Sequence, residues 1–311
     1  MILPKPVLDL LINERMVKIS NPEIASVVQL SLGPAFTSEE STKLVDWIFA
    51  NERHHLCLVS WLSFLRRYRE AFSGVAQGLG RWNGQSSHSL GHDKWSVGWA
   101  SDSMLPIASA LYALKSFGVR GAVLECGAFK GSSTACLSLV CAELGFDLDC
   151  ADSFEGLPSE EGHYAKGDFF GTLEEVRRNV SRFGNIERVN FIEGWYSETL
   201  NTYDKPLALL WIDVDLQIST IDVLENIYNK LAPGALIFSD GFSEGVDFDG
   251  NQVVETGGEP AGFYHFFKDN KINYCAAAGG SKGLALITPR SYPEEDFLIP
   301  PDTIKYLIGC L

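Results

Sequence analysis

Apolar and polar positions follow two different rhythms along this chain. Up to about residue 72 the period is helical. Leu58, Trp61, Leu65, Tyr68 and Phe72 fall on one stripe, and Asn21-Pro22 and Gly33-Pro34 mark turns. Residues 73–103 break that rhythm. They are rich in glycine and serine around Trp82, His88, His92, Trp95 and Trp99, which predicts a long loop. From about residue 104, short apolar runs alternate with amphipathic segments. Strands are expected at 121–127, 148–154, 189–194, 207–215 and 235–240, with helices over 107–117, 132–144 and 172–183, one following Ser219, and one containing Phe263 to Phe267. Thr172 with Glu175 reads as a capping box, and Ser219 as an N-cap. Two consecutive strands, 272–278 and 283–289, close the pattern and predict an antiparallel edge. Strand–helix alternation implies right-handed crossovers, hence an α/β fold with a doubly wound, mostly parallel sheet. Residues 1–103 form a helical N-terminal region with its loop, a lid or a dimerisation arm, and residues 104–311 form the α/β domain.

Composition narrows the function classes. With 311 residues, 46% of them hydrophobic, the chain has ample material for a large core. Its 25 basic and 40 acidic residues give a net charge of −15, which disfavours nucleic acid as a partner. Arg66, Arg67 and Arg69 are the densest basic cluster and sit at helical spacing among apolar residues. The seven cysteines form no C-x-x-C pair, so a structural zinc is not expected. Asp9, Asn13 and Glu14 interrupt the first apolar stretch, and no run reaches the ~18 residues of a membrane span. The expectation is a soluble, cytoplasmic protein with no membrane partner.

In doubly wound sheets, ligands bind beyond the carboxyl ends of the strands. After the first strand stands Glu125-Cys126-Gly127-Ala128-Phe129-Lys130-Gly131-Ser132, an E-x-G-x-x-x-G spacing. It lacks the G-x-G-x-x-G of dinucleotide binders and fits S-adenosylmethionine (SAM) better than a nicotinamide cofactor, although a glycine turn can also serve packing alone. Asp152 ends the second strand, where a carboxylate can accept from both ribose hydroxyls. Gly194-Trp195 ends the third; the indole could flank an adenine or simply anchor the fold. Asp213 and Asp215 end the fourth strand and Asp240 the fifth. Carboxylates converging there can hold a divalent cation, act as a base, or cap the following helices.

These residues carry a resemblance. ECGAFKGSS (125–133), DSFEGLP (152–158), GWYSETL (194–200), DVDLQIST (213–220) and LAPGALIFSDGF (231–242) resemble, in order and spacing, the class I SAM-dependent methyltransferases with their Rossmann-like fold, in particular the macrocin-type O-methyltransferases of natural-product deoxysugars. The resemblance covers about residues 104–290. It implies methyl transfer from SAM to a hydroxyl oxygen of a small-molecule acceptor. It further implies that Glu125, Gly127, Gly131 and Ser132 hold the methionine part, Asp152 with Ser153 and Phe154 the ribose, and Gly194 and Trp195 the adenine. Family members bind magnesium through the first Asp of a D-x-D run and an Asp-Asp pair after the fifth strand, which maps Asp213 and Asp240 as ligands and Asp215 as the base.

Two departures stand out. Val214 replaces the family's usual glycine in D-G-D, and Ser239-Asp240-Gly241 replaces the usual D-D-Y, so a hydroxyl stands where magnesium would meet a carboxylate. His163, in the loop after DSFEGLP, is the second candidate for the base. Asp247, Asp249 and Asn251 lie in an acidic loop without calcium-loop spacing. The rival readings are a SAM-binding interaction module without catalysis and a nicotinamide-dependent oxidoreductase. The apolar stripe of the N-terminal helices needs a partner face, which suggests a homodimer.

Overall fold

The computed structural model describes residues 64, 67–80, 104–116, 118–243, 245–250, 252–278 and 284–289. Seven strands form one sheet: β1 (Ala122–Cys126), β2 (Leu148–Asp152), β3 (Val189–Glu193), β4 (Leu207–Ile212), β5 (Leu231–Ser239), β6 (Tyr274–Ala278) and β7 (Ala285–Pro289). The order is β3-β2-β1-β4-β5-β7-β6. The first five run parallel; β7 pairs antiparallel with β5 and β6 antiparallel with β7. The sheet is therefore mostly parallel with an antiparallel edge, as the periodicity predicts.

Strands β1 and β4 are buried at every position, which is why they read as unbroken apolar runs. Successive side chains go to opposite faces and feed two cores. Val123, Leu209, Trp211 and Phe238 belong to one, packed by α2 (Met104–Ser116), α3 (Ser132–Leu144) and α4 (Leu173–Phe183). Leu124, Leu210, Ile212 and Ile237 belong to the other, packed by α5 (Gln217–Ile227) and α6 (Gly258–Asp269). The Thr172 hydroxyl accepts from the Glu175 amide at 3.1 Å, so the predicted cap of α4 is present.

Two expectations give way. Residues 73–80 are not loop: a helix, α1, runs through residues 67–80. Tyr68, Phe72, Val75 and Leu79 are all buried, so the apolar stripe continues past the glycines that suggested a break. Gly78 is there for packing, since a Cβ at that position would stand 2.3 Å from the Phe183 ring. The Tyr68 hydroxyl donates to the Leu139 carbonyl and to Glu143, and Arg67 pairs with Glu143, which ties α1 to α3. Ser219, for its part, caps nothing: α5 begins at Gln217 and Ser219 is buried inside it. His88, His92 and the tryptophans at 82, 95 and 99 lie outside the described residues, as do Leu58, Trp61 and Leu65. No helix among the described residues is long and apolar enough to cross a membrane.

Candidate active site

The carboxyl ends of β1, β2, β4 and β5 bring the sequence-predicted acids together. Glu125 is fully buried, and neither of its carboxylate oxygens has a hydrogen-bond partner of ordinary geometry. Burial pushes its pKa up to about 7; the hydroxyls of Ser133 and Thr134 and the Cys150 thiol are near enough to offset part of that rise. The glycine loop follows. Gly127 has φ +97°, and a Cβ there would stand 1.8 Å from the Asp213 carbonyl, so the loop can pass beside β4 only without a side chain. Gly131 precedes α3 in a left-handed conformation with no side-chain cap on the helix. Ser132, the first residue of α3, has a buried hydroxyl with no partner.

Asp152 links the second strand to that loop. Its carboxylate accepts from the Ala128 and Phe154 amides at 2.7 Å each, while burial holds its pKa above the ordinary carboxylate value. Phe154 is buried at φ +57°, and the Ser153 hydroxyl is spent within its own turn, donating to the Gly156 carbonyl and accepting from the Glu155 amide. Gly194 donates to the Asp152 carbonyl at 3.0 Å. Trp195 is half-buried and opens the helical turn Tyr196–Thr199. Tyr196 is a nearby phenol raised by burial first and then by Asp152.

Asp213, Asp215 and Asp240 converge as expected. Burial, then the charges of Asp240, Asp215, Glu259 and Glu125, pushes Asp213 well above the ordinary carboxylate range. Asp215 is raised to about 7, by burial first and by Glu259 next. It has φ +60°, a conformation that costs a non-glycine residue about 1–2 kcal/mol. Its surroundings hold it there: the Val214 and Asp215 amides donate to one oxygen of Glu259, at 2.6 and 3.0 Å.

Three participants were missed in the sequence. Glu259, from the first turn of α6, is buried, and its second oxygen accepts from the Ser239 hydroxyl and, at 3.2 Å, from the Gly241 amide. Tyr164 hydrogen-bonds Asp215. Its neighbour His163 is exposed, with its ring 4.1 Å from the Tyr164 ring, so the loop residue bonded to Asp215 is the tyrosine. Glu161 joins the same loop to two helices, one oxygen accepting from the Gln217 amide at 3.0 Å and the other from the Gly258 amide at 2.8 Å. The only local signal among them is an acidic residue in the first turn after Gly257-Gly258.

The donor set does not match the three-carboxylate magnesium site implied by the resemblance. Ser239 replaces one carboxylate, its hydroxyl is engaged by Glu259, and Glu259 itself is engaged by three backbone amides. Among the described residues, no three His, Cys, Asp or Glu side chains are grouped so as to hold a metal ion.

The sequence profile of the family described as macrocin-O-methyltransferase (TylF) matches residues 80–247, more than half of the chain. The 8-demethyl-8-(2,3-dimethoxy-alpha-L-rhamnosyl)-tetracenomycin-C 4'-O-methyltransferase of Streptomyces olivaceus is 32% identical over 142 residues, 40% of this chain and 54% of that protein. Mycinamicin III 3''-O-methyltransferase of Micromonospora griseorubida is 32% identical over 145 residues, 40% of this chain and 56% of that protein. The chain thus spans about half the length of the curated relatives it matches. In fold, it is similar to the solved O-methyltransferase NovP, with a TM-score of 0.51 and 22% identity over 62% of this chain and 81% of that one. Strand order, the glycine loop, the strand-end acids and the profile agree: the chain belongs to the macrocin O-methyltransferase (TylF) family.

Proposed function

We propose that the protein transfers the methyl group of SAM to a hydroxyl oxygen of a small, sugar-like natural-product acceptor. The observation that carries this reading is Glu125, a fully buried carboxylate beside the glycine loop with no cation and no hydrogen-bond partner of ordinary geometry. A buried anion of this kind is costly unless a cation meets it. SAM brings an ammonium and a sulfonium, and the uncapped start of α3 with the Ser132 hydroxyl suits its carboxylate. Gly127 and Gly131 let the backbone come close, Asp152 with Ser153 and Phe154 borders the ribose, and Gly194 with Trp195 borders the adenine.

Bound SAM supplies an electrophilic methyl group, so the protein has to align the acceptor and take its proton. Asp215 is the base in this reading. Raised to about 7, its pKa suits proton removal near neutral pH. Tyr164 orients the carboxylate through its hydrogen bond, and the loop 155–171 that carries it borders the acceptor. His163 remains the second choice for the base. No step runs through a metal ion. The segment 241–260, an acidic stretch that runs into the start of α6, forms the other acceptor wall in this reading. We further propose that residues 1–103, apart from the core helix α1, serve as lid or dimer arm of a cytoplasmic homodimer; a monomeric mass in light scattering speaks against the dimer.

Isothermal titration with SAM and with its demethylated product tests the cofactor reading: micromolar binding supports it, and binding of neither overturns it. A screen of hydroxylated glycosides for methylated product by mass spectrometry then tests the chemistry. SAM binding with no product across such a panel would favour a binding module.

A further inference from the structure

The two departures from the family pattern after β5, Ser239 for a carboxylate and Gly241 for a tyrosine, meet at a single side chain. Glu259 lies 20 residues further on, and its carboxylate takes the Ser239 hydroxyl on one oxygen. A Cβ at Gly241 would stand 2.9 Å from the Glu259 Cβ and 3.1 Å from its carboxyl carbon, so that side chain reaches the strand ends only past a glycine. Both substitutions are therefore what a buried glutamate at 259 requires. The hydroxyl gives it a donor, and the glycine gives it room and an amide. A carboxylate at 239 would instead face the Glu259 carboxylate in a fully buried setting, two like charges that can coexist only by taking up a proton. With the Val214 and Asp215 amides on its other oxygen, Glu259 pins the end of β4 to the end of β5.

We infer that Ser239 and Glu259 are an interlocked pair that has taken over the position of the third metal-ligating carboxylate, so that this chain holds the strand ends carrying Asp213, Asp215 and Asp240 through hydrogen bonds from Val214, Asp215, Ser239 and Gly241 to Glu259 and works without a divalent ion there. The inference deepens the methyltransferase reading, but manganese binding and thermal melting test it without any turnover. Manganese alone is the probe, followed by electron paramagnetic resonance. The wild-type chain is expected to bind it more weakly than about 1 mM, outside the range of built oxygen sites. Binding at least tenfold tighter than that, and lost in Asp213→Asn, overturns the inference.

The interlock itself is read from a double-variant cycle. Ser239→Asp alone should lower the melting temperature by about 5–10 °C. Adding Glu259→Gln should restore much of that loss, because the amide NH2 can donate to an aspartate at 239 while the amide oxygen keeps the Val214 and Asp215 amides, with only the long Gly241 bond given up. The folded double variant should also bind manganese at least tenfold tighter than wild type. A Ser239→Asp chain as stable as wild type, no rescue by the second substitution, or a folded double variant with no gain in manganese binding each overturns the interlock. Failure of SAM titration would sink the methyltransferase reading and leave these results standing.

Discussion

Asp149 and Glu125 stand on neighbouring strands of the same sheet, and both are completely buried. Asp149 accepts from Asn190 at 2.9 Å, from the Tyr203 hydroxyl at 2.8 Å and from the Lys205 ammonium at 2.6 and 2.8 Å. Glu125, near the carboxyl end of β1, has no cation beside it, and the Ser133, Thr134 and Cys150 side chains near it fall short of ordinary hydrogen-bond geometry. A buried carboxylate with its own cation and donors ties elements of the fold together. One without them weakens the free protein and gains when a cationic ligand arrives. Two acids of similar burial thus separate by the company they keep: Asp149 is a structural group and, under the proposed function, Glu125 a binding group.

The largest expected effect lies on the binding side. Asp215→Asn should reduce turnover by about 10²–10⁴-fold, the usual contribution of general-base catalysis, while SAM affinity in titration stays within about twofold. Unchanged turnover would remove Asp215 from the mechanism. On the structural side, Asp149→Ala should cost about 2–3 kcal/mol in denaturant unfolding, since Tyr203 and Asn190 lose their acceptor while the partly exposed Lys205 turns to water, and SAM affinity should not change. Glu125→Gln should do the reverse. At pH 8 it should stabilise the free protein by about 1 kcal/mol, having removed a buried charge, and weaken SAM binding about tenfold. A destabilised Glu125→Gln would erase the contrast between the two acids.

The smallest effect is a pH dependence whose sign follows from the raised values. Glu125 and Asp215 have folded-state pKa values of about 7, above their unfolded ones, so the folded chain holds the extra protons. The stability they contribute is fully present below about pH 4 and is lost as pH rises through about 7. The melting temperature of the free protein should therefore fall from pH 6 to pH 8, and saturating SAM should flatten the slope. Turnover should rise over the same interval as Asp215 loses its proton. A melting temperature that climbs with pH would mean that these acids are already matched by cations.

The sheet was legible because β1 and β4 are buried on both faces, and α4 because its apolar positions share one face. Glu125, Asp152, Asp213, Asp215 and Asp240 were legible because a parallel sheet puts its strand ends in one place. Glu259, Tyr164 and Glu161 were not, since each reaches the site from a segment distant in sequence, and no short spacing encodes a contact such as that of Glu161 with Gly258. The same long-range contact explains the misread start of α5. Ser219 looks like a cap by local chemistry, while the Gln217 amide has its acceptor in Glu161. The stretch 73–80 misled for a different reason: Gly74 and Gly78 read as punctuation, but the apolar face between them was already committed to the core.

Glu161 also has a meaning for anyone who wants to re-engineer this protein. The carboxylate of Glu161, shared by two helix starts, joins the stretch 155–171 to the frame alongside the Tyr164 bond to Asp215 and the packing of Phe169 on Phe129. A transplanted stretch of another length or sequence could exploit the same socket if it presents one acid at that point. Under the proposed function, a replacement that also keeps a tyrosine at the place of Tyr164 would exchange the acceptor side of the site as a cassette.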